Sequence, residues 1–366
     1  FVNLASVLYL GSLALETIMG IPMGYGVIGL ALFAAAYSLY GGLSAVAWTD
    51  VIQVIFLILG GLVTTYLAVN SVSDGNGFLM GMKNMYKAAP EKFAMILEPS
   101  NPEYKNLPGI GVLVGGMWVA NLYYWGFNQY IIQRTLAAKS LKESQKGILL
   151  AAGLKLILPI IVVIPGIAAY IMIKDTAMFD SFKPDNAYPW LLQLLPSGLK
   201  GLAFAALTAA IVSSLASMLN STSTIFTMDI YKQYIRPNAN DKETVNTGRI
   251  SAAVALLVAG IMAPLLGGID QAFQFIQEYT GVVSPGILAV FVLGLFWKKT
   301  TNKGAIIGTL SSIPIAMYFK VAPKGWSNNS FFLNDVPFLD QMGYTVIITM
   351  VIIILASHIQ NRGEKD

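Results

Sequence analysis

The chain has 366 residues, of which 55% are hydrophobic and only 11% are charged, and its net charge is +4. Soluble domains carry about 25% charged residues, so this chain cannot cover a water-facing surface, which excludes a soluble enzyme, a disordered tail and a coiled coil. The absence of cysteine, the single histidine and the lack of any basic run exclude disulfides, histidine-rich metal sites and nucleic-acid binding.

Long apolar runs predict an all-α, polytopic membrane protein with about ten transmembrane helices, at roughly 20 residues for each span. The runs are continuous rather than alternating, which favours helices over a β-barrel. Because the chain opens inside an apolar run, we expect further chain upstream of Phe1. The predicted spans are 1–18, 21–48, 49–69, 108–132, 147–173, 200–226, 250–270, 272–297, 304–320 and 341–358.

Three short connecting stretches are rich in lysine and arginine, and all three fall on the same side of the membrane by parity. By the positive-inside rule, the loops after 132, 226 and 297 are cytoplasmic, so we expect a multi-pass protein of the cell (inner) membrane. If 250–270 and 272–297 were one broken span, the parity of everything after them would reverse. The basic residues are Arg134, Lys139, Lys142 and Lys146, then Lys232, Arg236, Lys242 and Arg249, then Lys298, Lys299 and Lys303.

Amide and aromatic side chains share one helical face in the span 108–132. Asn121, Tyr124, Trp125 and Asn128 fall at i, i+3, i+4 and i+7. An amide can bind hydroxyls while an aromatic ring stacks on the apolar face of a sugar, so this face is a candidate sugar site. The alternative is an aromatic belt at the membrane interface. Gly115, Gly116 and Gly126 could loosen or break the helix here.

Lys155 lies eight residues into its apolar span, roughly 12 Å deep at 1.5 Å per residue. An ionisable group at that depth is costly unless it faces a partner or a water-filled cavity. Its ammonium offers three donors, which suit hydroxyl or carboxylate oxygens. Pro159 removes the hydrogen bond that the Lys155 carbonyl would accept. The alternatives for this lysine are a structural ion pair and a side chain that snorkels to the interface.

Small and hydroxyl residues share one face of the span 200–226, at Ala210, Ser213, Ser214 and Ser217. Hydroxyls and a freed backbone carbonyl are hard oxygen ligands that suit a small alkali cation. The alternative is close helix packing, which also uses small residues. Asp50 could hold a cation on its way out, although helix N-termini favour aspartate in any case.

Gln277 lies in the first turns of the span 272–297, where it could close over a substrate from the outer half of the membrane. The alternative is an ordinary extracellular helix end, where polar residues are common. Pro285 is expected to bend this helix.

Four long strings resemble the sodium/solute symporter family, in its sodium–sugar branch. They are YSLYGGLSAVAWTDVIQV, WVANLYYWGFNQYIIQRTLAAKS, AAIVSSLASMLNSTSTIFTMDIYK and QEYTGVVSPGILAVFVLGLFWKK. The resemblance implies a leucine-transporter-type bundle of two inverted five-helix repeats, with the substrate at the midplane beside broken helices. The resemblance also implies that 1–366 is a single transmembrane domain. In this domain, 1–69 completes the first repeat, 108–297 forms the second and 304–358 is peripheral.

The resemblance also implies a role for individual residues. The substrate-binding residues are Asn121, Tyr124, Trp125, Lys155 and Gln277; the gates are Tyr124 on the cytoplasmic side and Phe273 on the outer side; the sodium ligands are Ala210, Ser213 and Ser214, with Asp50 on the exit path. By the same resemblance, the helix that supplies the other half of the sodium site lies upstream of Phe1. Residues 1–366 alone are therefore expected to transport poorly.

The expected function is sodium-coupled symport of a galactose- or glucose-like sugar by alternating access. Sodium is the coupling ion, no other cofactor is expected, and the partners are the sugar, sodium and the lipid bilayer. A different solute such as an amino acid or a carboxylate is the main alternative. A channel is disfavoured because no repeated charged ring is visible, and a membrane enzyme because no clustered catalytic set is present.

Overall fold

A computed structural model describes residues 2–98, 100–101, 104, 109–268, 272–321 and 336–363. Every regular element within these ranges is a helix. The chain divides into two compact units. The first unit comprises Phe1–Phe93 and Gln133–Phe273, and the second comprises Ala94–Ile132 and Gln274–Asp366.

Fourteen α-helices are labelled here in chain order, and short 3₁₀ turns connect several of them. They are α1 Val2–Met19, α2 Met23–Val72, α3 Phe78–Ala88, α4 Gly109–Val114, α5 Gly116–Phe127, α6 Gln129–Leu136, α7 Leu141–Lys155, α8 Leu158–Ile173, α9 Ala187–Leu192, α10 Ser197–Thr224, α11 Asp241–Met262, α12 Ala272–Phe296, α13 Asn302–Val321 and α14 Phe338–Gly363. Helix α10 continues as a π-helix over Ile225–Ile235.

Eight helical segments in the described residues are long and apolar enough to cross a membrane. A ninth, Met23–Ser38, is apolar but shorter. Helix α13 matches the predicted span 304–320. The sequence-based spans therefore correspond to helices, although length and composition alone single out fewer than the expected ten. The eight are Val2–Met19, Ala47–Val72, Gly109–Phe127, Leu141–Ile173, Ser197–Ile235, Asp241–Gly267, Phe275–Phe296 and Phe338–Asn361.

Helix α2 runs through most of the predicted span 21–48 and all of the predicted span 49–69 in one helical stretch. Its axis must nevertheless turn sharply, because the hydroxyls of Tyr37 and Thr49 are hydrogen-bonded to each other. Residues 12 positions apart on a straight helix would be about 18 Å apart. The two predicted spans thus lie on either side of a bend.

The second arm of α2 runs antiparallel to α10 in the first unit. Asp50 contacts Ser213, while Gly60, ten residues later, packs on Ala203, ten residues earlier. Small residues at such contacts let helix backbones approach closely in a membrane. This pairing places the carboxylate of Asp50 against the middle of α10.

In the second unit, α5 packs against the start of α14 at a position that only glycine can occupy. A Cβ on Gly116 would lie 1.7 Å from the carbonyl oxygen of Leu339. A buried apolar cluster continues the contact through Val119, Leu339 and Met342. The packing fixes the helix that carries the predicted sugar face.

Candidate functional site

Three of the four predicted amide and aromatic residues, Asn121, Tyr124 and Trp125, lie together on α5 in the second unit. The fourth, Asn128, was expected on the same helical face but lies just after the end of α5. Asn121 is half-buried and donates from Nδ2 to the carbonyl oxygen of Met117, at 2.9 Å. The rings of Tyr124 and Trp125 meet edge-on, with centroids 5.2 Å apart and planes at 79°. The carbonyl oxygen of the amide and two aromatic rings are thus presented from a single helix.

Tyr124 is hydrogen-bonded to Tyr130 across a helix break that lies two residues after Gly126, one of the glycines expected to loosen or break this helix. Helix α5 ends at Phe127, Asn128 is extended at φ −86° and ψ 116°, and α6 begins at the next residue. The two tyrosine hydroxyls share a hydrogen bond, and their rings are 5.8 Å apart. The residue predicted as the cytoplasmic gate therefore lies next to a helix break. The other expected break, at Gly115 between α4 and α5, is present.

Gln277 and Phe273 both belong to helix α12. Gln277 is half-buried in the second unit. The side chain of Phe273 lies outside the described residues, so its predicted gate role stays a prediction. The substrate role of Gln277 likewise stays a prediction.

Lys155 is the last residue of α7, where the apolar span is interrupted. Helix α8 begins at Leu158, and Pro159 stands in its first turn. The interruption expected from Pro159 is present. The lysine side chain is exposed, and it belongs to the first unit, whereas the other four predicted substrate residues belong to the second.

The predicted sodium ligands lie on the part of α10 that faces the bend of α2. Ser213 is buried, and its hydroxyl donates to the carboxylate of Asp50. Ser214 and Ala210 are half-buried. Helix α10 is unbroken here, so the freed carbonyl expected at Ala210 is not seen. That carbonyl offers only the second lone pair that every peptide oxygen keeps.

Arg134 joins this cluster, and its role was not predicted. One Nη2 nitrogen lies 2.6 Å from Asp50 Oδ2 and 2.6 Å from Ser217 Oγ. Ser217 donates to the carbonyl oxygen of Ser213 at 2.8 Å, and Gln133 donates to the Ser217 carbonyl at 3.1 Å. The prediction that Arg134 is a basic loop residue is wrong, because Arg134 lies on α6 and its side chain is only one-third exposed.

The cluster brings together a carboxylate, two hydroxyls and a guanidinium. Carboxylate and hydroxyl oxygens are hard ligands that suit an alkali or alkaline-earth cation. The guanidinium already neutralises the carboxylate of Asp50 in this arrangement. An arriving cation would therefore have to compete with Arg134 for that carboxylate.

Three comparisons with known proteins identify the family. The model of the "Sodium:solute symporter family" matches residues 1–311. The chain is 62% identical over its whole length to the sodium/glucose cotransporter of Vibrio parahaemolyticus and covers 68% of that protein. It is 34% identical over 87% of its length to the human sodium/myo-inositol cotransporter 2, of which it spans half.

A solved structure shows the fold. The chain superposes with a TM-score of 0.77 on a Na⁺-coupled sialic acid symporter in a substrate-bound, outward-open state. The match covers 98% of this chain and 71% of that one, at 22% sequence identity. The predicted all-helical, leucine-transporter-type bundle is confirmed. The chain is a multi-pass membrane protein and belongs to the sodium:solute symporter family.

Proposed function

We propose that the protein carries a sugar across the membrane together with sodium, by alternating access. The observation that carries this proposal is the 62% identity to a sodium/glucose cotransporter along the entire chain. Two groups of residues, the cluster around Asp50 and the aromatic face of α5, supply the chemistry that such a transporter needs.

The sodium half of the proposal rests on the cluster around Asp50. Ala210, Ser213 and Ser214 supply oxygen ligands on α10, and Asp50 receives the ion as it leaves. Arg134 is the internal counter-ion of that carboxylate. When sodium departs, the guanidinium restores neutrality, so the carboxylate does not retain the ion.

The sugar half of the proposal rests on α5 and its partners. Asn121 offers an amide carbonyl to a hydroxyl, and Tyr124 and Trp125 offer flat faces to an apolar ring surface. Gln277 and the ammonium of Lys155 supply further polar contacts. The side chain of Tyr124 closes the path towards the cytoplasm. The path opens when the hydrogen bond between the hydroxyls of Tyr124 and Tyr130 is broken.

The energetics allow accumulation with a single sodium ion. One charge that crosses 100 mV yields about 2.3 kcal/mol. A tenfold sodium gradient adds about 1.4 kcal/mol. Together they sustain a sugar gradient of several hundredfold, which is ample for uptake.

The proposed orientation places the loops after 132, 226 and 297 in the cytoplasm of a cell with the protein in its plasma (inner) membrane. With Arg134 removed from the count of loop charges, Lys139, Lys142 and Lys146 still outnumber Glu143 in the first of these loops. The repeat assignment, with 1–69, 108–297 and 304–358 as successive parts, belongs to the same proposal.

The test is uptake of labelled galactose by proteoliposomes that contain the full-length protein, with sodium or choline outside. We expect saturable uptake in sodium and background uptake in choline. Equal uptake in both media would refute sodium coupling. Large single-channel currents in planar bilayers would instead indicate a channel.

A cyclitol is the second candidate solute, because the chain is 34% identical to the human sodium/myo-inositol cotransporter 2. A cyclitol also presents a ring of hydroxyls to the same amide and aromatic groups. Competition of galactose uptake by glucose, myo-inositol and proline ranks the candidates. Strong inhibition by proline alone would place the substrate among the amino acids.

A further inference from the structure

A half-buried lysine from α13 packs against the helix that carries Gln277. The Nζ of Lys320 lies 3.4 Å from Glu278 Oε2 and 3.6 Å from the centre of the Tyr279 ring. The side chain of Lys320 is 19% exposed and that of Glu278 is 33% exposed. One ammonium therefore contacts two consecutive residues of α12, through a charge and through an aromatic face.

The two contacts act on a single turn from different directions. An ammonium over an aromatic face is attracted by the ring quadrupole, and the attraction grows when water is excluded. The Nζ of Lys320 is buried and makes no hydrogen bond among the described residues, so its charge is compensated by these two contacts. Lys320 therefore resists both rotation and lateral displacement of the turn that contains Glu278 and Tyr279.

Gln277 immediately precedes this turn. Successive side chains on an α-helix project about 100° apart, so the directions of Glu278 and Tyr279 determine the direction of Gln277. An amide that must meet a particular hydroxyl has to be held within about 0.5 Å of its productive position. The contact of Lys320 with Glu278 and Tyr279 can therefore determine the orientation of the Gln277 side chain.

We propose that Lys320 is a positioning residue for Gln277, acting through Glu278 and Tyr279. This proposal rests on the proposed sugar transport and gives α13 a part in substrate binding rather than a purely peripheral one. Removal of Lys320 alone also leaves the Glu278 carboxylate partly buried and unpaired, which destabilises a protein more than removal of both charges. Effects on folding and on positioning can therefore be separated by the choice of variants.

The test measures the sugar KM, the maximal rate per folded transporter and the sodium concentration for half-maximal uptake. Lys320→Met is expected to raise the sugar KM about tenfold, with the sodium dependence little changed. Lys320→Arg retains the charge and the aromatic contact, so its KM should remain near the wild-type value. Lys303→Met, an exposed lysine at the other end of α13, is the matched control and should change nothing.

The double variant Lys320→Met with Glu278→Gln separates an effect on the orientation of Gln277 from an effect on stability. It leaves no unpaired charge, so it should accumulate in the membrane as well as wild type, yet its sugar KM should stay raised. A wild-type KM in this double variant, or in a well-folded Lys320→Met protein, would overturn the positioning role. Wild-type protein without sodium-dependent uptake would instead overturn the proposed function, and the positioning role would fall with it.

Discussion

The ion pair between Arg134 and Asp50 makes a quantitative prediction about stability. The two side chains are 33% and 29% exposed. Breaking a fully buried pair by removing one partner costs about 3–5 kcal/mol, whereas an exposed pair contributes about 0.2–1 kcal/mol. Arg134→Met should therefore destabilise the protein by about 2 kcal/mol, between these limits. The variant Asp50→Asn with Arg134→Met should be more stable than Arg134→Met alone.

The same substitution should change sodium coupling in a defined direction. Without the guanidinium, the carboxylate of Asp50 has no internal counter-ion and holds sodium more tightly. A gain of about 2 kcal/mol in the free energy of sodium binding corresponds to an increase of about 30-fold in the binding constant. Because both side chains are partly exposed, screening by solvent makes the increase smaller. Arg134→Met should therefore lower the sodium concentration for half-maximal uptake and also lower the maximal rate, because release slows.

Two assays measure the predicted changes in stability and in sodium dependence, and a second ion pair provides a matched control. Equilibrium unfolding in mixed detergent micelles gives the stability change, and sodium titration of uptake in proteoliposomes gives the coupling. Arg236→Met is the control, because Arg236 pairs with Glu243 at 3.1 Å with side chains 60% and 32% exposed; its effect should stay below about 1 kcal/mol. An unchanged or raised sodium requirement in Arg134→Met would refute the counter-ion role.

Three further predictions concern the remaining site residues and the packing beneath them. Lys155→Ala should fold normally but lose at least about tenfold in sugar affinity, as expected when a charged hydrogen-bond donor worth about 1.5–3 kcal/mol is removed; unchanged sugar uptake would contradict its substrate role. Ser213→Ala with Ser214→Ala should weaken sodium activation more than sugar selectivity, and an unaltered sodium titration would count against the ion site. Gly116→Ala should cost at least about 1–3 kcal/mol, because its Cβ would collide with a backbone carbonyl. Gly126→Ala, which meets nothing within 4 Å, should be neutral or stabilising; equal losses in thermal unfolding of both variants would contradict the packing.

Local sequence signals predicted the local features of this structure. The apolar runs predicted the membrane-spanning helices. Pro159 indicated the interruption after Lys155 at the end of α7, and Gly115 indicated the interruption between α4 and α5. Each of these follows from a side chain acting on its own backbone or on the surrounding lipid. They required no knowledge of which helices pack together.

Long-range contacts could not be predicted in this way. Arg134 reaches a carboxylate 84 positions away, and nothing near it in the sequence distinguishes it from the basic residues of the following loop. Lys320 and Glu278 are likewise separated by most of two helices. The break at Asn128 has no proline; Gly126 indicated that the helix could break in this region, but not at which residue. Such features depend on which helices pack together. Small residues, which mark helix contacts in membranes, occur throughout the helices and so do not indicate which pairs are in contact.

If sodium movement drives sugar movement, the ratio of internal to external sugar at which net flux stops is set by the sodium gradient and the membrane potential. Proteoliposomes are held at a tenfold inward sodium gradient and a potential of about 100 mV, negative inside, and the internal sugar is raised until net flux stops. Coupling to one sodium ion predicts a limiting ratio of several hundredfold, which falls to one when ionophores collapse the gradient and the potential. A ratio of one with the gradient and the potential intact would contradict sodium-coupled transport.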